Sequence, residues 1–383
     1  MKRYFESNTN FKSYKMKKRI VLKFSLLFLL LGIISNSSAQ KEANDVPVSK
    51  LNWKVVAGQM PDAWYGTDEA KGIAEQVLLF QRENGGWPKN LQMHRPLTEA
   101  EKETLRTETP RGYEPTIDND GTVTEMKFMA KMYAATKDEQ YKKSFTRGLD
   151  YILEAQYDNG GWPQFYPLRE GYYSHITFND DAMVNIMGVL KEIYSENSIY
   201  AFAVTPDVAE RARKAYDKGL ECILKCQIYV NGKPTVWCAQ HDENTLKPAK
   251  ARSYELPSFS GGESVGITLM LMSIDEPSAE IIAAVEGAKT WFDEHKISGI
   301  RVVNLRDGVR DRHIVEDPEA PYIWGRFHDL ETGEAFFCGR DGVKKPTLAE
   351  IEAERRNGYN YYTNAPQKVL DNYLEWKEKI AKK

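Results

Sequence analysis

The segment Gln81-Arg-Glu-Asn-Gly-Gly-Trp-Pro88 returns as Gln156-Tyr-Asp-Asn-Gly-Gly-Trp-Pro163, and a worn third copy runs from Gln227 to Trp237. Trp87, Trp162 and Trp237 stand 75 residues apart. Equal spacing of similar segments means one supersecondary unit used several times, each burying an apolar face against its neighbours. That requirement excludes most folds open to a chain of this length.

Ahead of every copy lies a helical pattern. Tyr141–Gln156 sets Phe145, Leu149, Ile152 and Leu153 on one face, and Arg211–Gln227 sets Tyr216, Leu220, Ile223 and Leu224 there. Ala70–Gln81 does the same with Ile73, Val77 and Phe80. Apolar spacings of three and four mark amphipathic helices, and each ends in an Asn-Gly turn whose glycine allows a left-handed stop.

After each turn comes an acidic loop and then a second helix. The loops are Asp118–Glu125, Asn179–Met183 and Ser260–Gly266, and helices are predicted over 126–135, 182–194 and 264–274. Inner and outer helices alternating three times predict a mainly α fold, an (α/α)3 toroid, with the inner-helix N-termini at one end. Asp118, Asp120, Asp180, Asp181 and Glu263 would then crowd one rim. Singly each is an ordinary helix cap. Together they need a compensating cation, and Ca2+ suits hard oxygen donors.

Residues 297–342 read differently. Ile300–Leu305 alternates like a strand, and Tyr322–Asp329 and Glu334–Cys338 flank a turn at Glu331-Thr-Gly333. Helices are predicted to resume over 347–356 and 367–380. The expectation is a helical toroid over about 50–296 and 343–380, with a small β-containing portion over about 297–342 forming one wall of a cleft.

Residues 1–39 read as a signal peptide, with basic Lys17, Lys18 and Arg19, an apolar run from Phe24 to Ile34, then Ser37 and Ala39 before the cut. The run is too short for a membrane span, which takes about 20 residues. No cysteine follows it, so no membrane anchor is expected, and the product is secreted or periplasmic. The segment holds eight of the 52 Lys/Arg and one of the 55 Asp/Glu, leaving 44 and 54, a net charge of −10. That balance argues against nucleic acid as partner, and an acidic substrate must be met by a local basic cleft.

Cys222, Cys226, Cys238 and Cys338 lack the further ligands a zinc site needs and are expected to be buried free thiols. Trp87 and Trp162 are expected to plug the repeats together rather than stack on a ligand. The basic constellation begins at Lys247, Lys250 and Arg252. Arg326 and Arg340 flank the proposed hairpin, and Arg355 and Arg356 follow. Guanidinium forks suit bidentate binding of carboxylates. No G-x-S-x-G, H-E-x-x-H or phosphate-binding glycine loop is present.

These motifs together resemble family 10 of the polysaccharide lyases, the (α/α)3 pectate lyases. The resemblance is carried by NGGWPKN at 84–90, TIDNDGTVTEM at 116–126, NGGWPQFYP at 159–167, ITFNDDAM at 176–183, ARSYELPSFSGGESVGI at 251–267 and the Arg326, Arg340 and Arg355 series. It spans about 50–378. It implies one catalytic domain over 40–383, a monomer, that cleaves α-1,4-linked polygalacturonate by Ca2+-assisted β-elimination.

By the resemblance, Asp180 is the principal Ca2+ ligand, with Asp181 and Asp118 beside it, and Asn119 shares the neighbouring position with Asp118. Arg252 takes the place of the catalytic base. Arg326, Arg340 and Arg355, with Lys247, would hold substrate. Gly121 departs from the pattern but leaves both aspartates of its loop in place. An arginine base needs its pKa lowered from above about 12, and Lys247, Lys250 and neighbouring cations are expected to do this.

Two other readings remain open on the residues alone. One is an inverting glycoside hydrolase using Asp120 and Asp181, two carboxylates about 6.5–9.5 Å apart. The other is a non-catalytic pectin-binding protein.

Overall fold

The computed structural model describes residues 46–382 except 196, 197 and 307. The predicted signal segment, 1–39, lies outside the described residues. The chain divides into a unit ending at Asn52, described only from residue 46 with a 3-10 turn at Val48–Lys50, and a second unit from Trp53 to Lys383.

The second unit is built from helices α1 (Trp53–Gly58), α2 (Asp68–Phe80), α3 (Glu99–Thr107), α4 (Val123–Thr136), α5 (Glu139–Ala155), α6 (Ala182–Ile193), α7 (Pro206–Cys226), α8 (Glu263–Met272), α9 (Ala279–Glu294), α10 (Ala353–Gly358) and α11 (Gln367–Ala381). Three successive inner–outer pairs, α4–α5, α6–α7 and α8–α9, make the (α/α)3 toroid. The outer helices bury one apolar stripe, as with Phe145, Leu149 and Ile152 on α5. Most start on a side-chain cap, Thr67, Asp138, Thr205 or Ser278 accepting a backbone N–H of the first turn.

The repeat has a physical basis in its tryptophans, which are fully buried. Trp87 Nε1 donates to the Val77 carbonyl at 3.0 Å, Trp162 Nε1 to Ile152 at 2.8 Å and Trp237 Nε1 to Ile223 at 2.7 Å. Each indole thus pins the loop after an outer helix back onto that helix, bearing out the core role. A fourth copy of the device, unseen in the sequence, is Trp324 Nε1 donating to Phe292 at 2.7 Å. Gly160, at φ +92, shows why the turn needs glycine, since a Cβ there would lie 2.0 Å from the Lys218 carbonyl of the next outer helix.

The β-containing portion holds a hairpin, Ile300–Arg306 with Val309–Glu316. Its short pairings run mostly into the helical part: Phe327–His328 with Phe259–Ser260, and Trp324–Gly325 with Tyr362–Thr363. A small apolar cluster including Tyr254, Phe327, Phe337, Leu348 and Tyr361 supports it. The helix predicted over 347–356 is corrected to a 3-10 turn, Leu348–Glu350, followed by α10. The capping box of Thr347 and Glu350 closes the turn, and Ile351 is extended. All four cysteines are buried and free, and no helix among the described residues is long and apolar enough to cross a membrane.

Candidate active site

Two acidic turns stand in register ahead of α4 and α6. Asp118–Asp120 and Asn179–Asp181 each form a single 3-10 turn. Asn119 and Asp120 have φ 52 and 62, and Asp180 and Asp181 have φ 52 and 57. Asn and Asp tolerate this left-handed region better than other side chains, which is why these residue types occupy the turns. Asp118 therefore matches Asn179, Asn119 matches Asp180, and Asp120 matches Asp181.

The turns are brought together. Asp118, Asn119 and Asp180 line one cavity of about 270 Å3, and Asp180 and Asp181 line a second of about 230 Å3 beside Glu263 and Arg326. Asp118 is buried, its Oδ2 paired with Lys89 and its Oδ1 without a hydrogen-bond partner. Asp180 and Asp181 reach solvent, yet their carboxylates sit amid protein atoms. Burial pushes Asp180 up, against Arg326, and Glu263 and Asp118 push it further. Burial, then Glu263, Asp120 and Asp180, raise Asp181 to about 6. Two carboxylates held above their usual range, Asp180 and Asp181, beside Asp118 with its buried orphan oxygen, fit a hard cation.

Of the predicted arginines, Arg252 and Arg326 line these cavities, and Arg340 and Arg355 line neither. Half-buried Arg326 pairs with Glu263 and donates from Nη2 to Asn179 Oδ1 at 3.0 Å, while Asn179 Nδ2 donates to Asp180 Oδ2 at 2.6 Å. This chain of contacts ties the arginine wall to the acidic rim. Arg340 and Arg355 meet on one carboxylate, donating through Nε and Nη2 to Glu354 at 2.7–3.0 Å. Arg356 turns away to Asp311 at 2.7 Å, whereas the Arg355 Cζ lies 5.9 Å from the Tyr359 ring that Arg252 and Arg326 also approach.

Arg252 lines the first cavity together with Asp118 and Asp180. It donates to Glu255 from Nε at 2.7 Å and from Nη2 at 2.5 Å. Burial works to lower the guanidinium, but the Glu255 hydrogen bonds and charge more than offset it, and its pKa lies above the ordinary value. The expectation that Lys247 and Lys250 lower Arg252 is therefore corrected. Its nearest charged partner is an acid.

Other sequence candidates stand apart. Lys247 is exposed on the 242–247 turn, with only backbone hydrogen bonds, and lines neither cavity. Asp120, offered for a hydrolytic pair, is engaged by Lys54 and Asn185. Among the described residues, His175, Asp242 and Glu243 bring ligand atoms within 4.8 Å of one another, but the imidazole is hydrogen-bonded to Glu243 at 2.9 Å and none of the three lines either cavity.

Sequence reasoning missed several site residues. Lys89 sits in the Trp-Pro-Lys-Asn motif, Glu255 three residues after Arg252, and Arg169 lies over the rings of Tyr173 and Phe165 at 4.4 and 5.3 Å on the cavity lip. The spacing of Glu255 from Arg252 was the available signal. The others need the fold.

A family model described as pectic acid lyase matches residues 81–370. A family 10 polysaccharide lyase from Cellvibrio cellulosa, solved as a mutant in complex with trigalacturonic acid, is 34% identical with a TM-score of 0.72, over 81% of this chain and 94% of that one. A second structure described as the family 10 polysaccharide lyase from Cellvibrio cellulosa is 32% identical with a TM-score of 0.70, over 84% of this chain and 99% of that one. No curated protein matches the chain.

Proposed function

The chain belongs to the family 10 polysaccharide lyases and is a polysaccharide lyase of the pectate lyase kind, and from that premise we propose that it cleaves α-1,4-linked polygalacturonate by Ca2+-assisted β-elimination to 4,5-unsaturated oligogalacturonates. The observation that carries this reading is that Asp118 and Asp180 of the acidic rim line one cavity with Arg252. A polyuronate presents carboxylates along its length, which is what a rim for a cation and a wall of guanidinium forks are suited to receive.

The C5 hydrogen of galacturonate is α to a carboxylate and only weakly acidic. Asp118, Asp180 and Asp181 would hold Ca2+, which supplies, when bound, withdrawal of charge from the uronate carboxylate. Arg326, Arg340 and Arg355 bind and orient substrate carboxylates and stabilise the negative charge that develops there. Buried Nε of Arg326 has no partner in the protein, a donor available to such a carboxylate. Asn119 lines the same cavity and would contact substrate there.

Arg252 in its neutral form takes the C5 proton and becomes guanidinium. The C5–H electrons form the C4–C5 double bond, and the C4–O bond breaks. The leaving oxygen takes its proton from solvent. Glu255 favours the charged form of Arg252, so the competent form gains population as pH rises. Residues 1–39 direct export, and the enzyme acts outside the cytoplasm.

The products test the reaction class. Mass spectrometry of a polygalacturonate digest is expected to show oligogalacturonates lighter by one water than hydrolysis products. Saturated products alone, with no unsaturated fragment, would assign a hydrolase, and binding without shortening would assign a non-catalytic role.

A further inference from the structure

Three guanidiniums of the site converge on one ring. The Cζ atoms of Arg326, Arg252 and Arg355 lie 4.6, 5.8 and 5.9 Å from the centroid of Tyr359. Each has its own carboxylate: Glu263 for Arg326, Glu255 for Arg252 and Glu354 for Arg355. Those three acids come from different places in the chain, and none of them pairs with more than one of these three arginines. Tyr254 lies near two of them, Arg252 and Arg355, at 5.2 and 4.7 Å, but among the described residues the aromatic face shared by all three is the Tyr359 ring, whose negative face attracts cations that would otherwise repel one another.

The ring is held still. It stacks on Phe327 at 6.1 Å and 8°, and meets Tyr254 and Tyr361 nearly edge-on at 5.4 and 5.1 Å. Its hydroxyl donates to Glu255 Oε1 at 2.8 Å, the same oxygen that receives Arg252 Nη2. One side chain thus touches the arginine assigned to proton transfer twice, through its face and through Glu255, and touches two of the arginines assigned to substrate carboxylates.

We infer that Tyr359 is the positioning residue of the arginine wall, its ring setting the spacing of Arg326, Arg355 and Arg252 and its hydroxyl fixing Glu255 against Arg252. This rests on the pectate lyase reading. The two halves of the role separate by substitution, because Phe keeps the face and loses the hydroxyl, while Leu and Met lose the face and keep apolar bulk against Phe327.

The test measures kcat and KM on polygalacturonate, trigalacturonate binding by calorimetry, and a thermal melt for each protein. Tyr359→Leu and Tyr359→Met are expected to raise KM and weaken trigalacturonate binding at least about tenfold. Tyr359→Phe is expected to restore KM to within about threefold while kcat stays about three- to tenfold down. Folded Leu and Met variants with wild-type KM and wild-type binding would overturn the proposal. So would failure of both to fold, which would assign the ring to the core. The function reading fails differently: the wild-type enzyme would then give no unsaturated product, while trigalacturonate binding would still report on the ring.

Discussion

Glu255 grips Arg252 with both carboxylate oxygens, at 2.7 Å to Nε and 2.5 Å to Nη2. A group meant to accept a proton is thereby held in its protonated form. The grip has a structural use, because a two-point contact fixes the plane and direction of the guanidinium, and a chemical consequence for pH.

Arg252 stands above its ordinary pKa because Glu255 outweighs burial. The neutral base is scarce at neutral pH, so the rate is expected to climb as pH rises through the alkaline range. Glu255→Gln removes the charge that favours the cation, so the neutral form appears at lower pH. The rising limb of the pH–rate profile is expected to move to lower pH by about one unit or more, with kcat at its plateau reduced.

Arg252→Lys and Arg252→Ala are expected to lower kcat at least about 100-fold, in the range found for loss of general-base groups. Trigalacturonate binding measured by calorimetry is expected to change far less. Wild-type turnover in either variant would remove Arg252 from the chemistry.

Asp180 lines both cavities, whereas Asp181 lines only the second. Asp180→Asn is expected to raise the Ca2+ concentration for half-maximal activity by about 10–100-fold, and Asp181→Asn by a smaller factor, as read from Ca2+ titrations of activity. Equal effects would mean that both side chains hold the cation alike.

Glu125 at the start of α4 is buried, with Oε1 accepting from Trp53 Nε1 at 2.7 Å and Oε2 unpartnered. Burial, against the Trp53 hydrogen bond, raises it to about 7. Its folded pKa lies above the unfolded value of about 4.5, so its contribution to stability is complete below about pH 4.5 and is lost as pH rises through about 7. Glu125→Gln is expected to be more stable than wild type by about 1–3 kcal/mol at pH 8, with the gap closing near pH 5. Denaturant unfolding at the two pH values measures it.

Trp162→Phe keeps most of the buried ring but orphans the Ile152 carbonyl. A loss of about 1–3 kcal/mol in unfolding free energy is expected, with KM unchanged. This separates the tryptophan's scaffold role from substrate stacking.

Much of this architecture was legible because it repeats. The Gly-Gly-Trp-Pro copies placed α2, α5 and α7, since each copy needs the preceding outer helix to receive its indole. The fourth anchor was hidden because the hairpin at 300–316 separates Trp324 from α9, breaking the 75-residue interval. The α9 helix itself followed no visible copy and was not predicted, although Ser278 caps it and Ile281, Val285 and Phe292 repeat at helical spacing. The acidic turns and the arginines were visible as residue types. Their pairing was not, because Arg326 reaches Asn179 across 147 positions, and sequence spacing carries no information at that range. The charge on Arg252 was misread for the same reason: Lys247 and Lys250 are near in sequence, but Glu255 is the group that touches it.

The most direct test of Ca2+-assisted β-elimination follows ultraviolet absorbance in a polygalacturonate digest with added Ca2+, after chelation and after Ca2+ is restored. The expected result is absorbance from unsaturated ends that rises with Ca2+, stops on chelation and resumes on restoration. New reducing ends without absorbance, or absorbance indifferent to chelation, would contradict it.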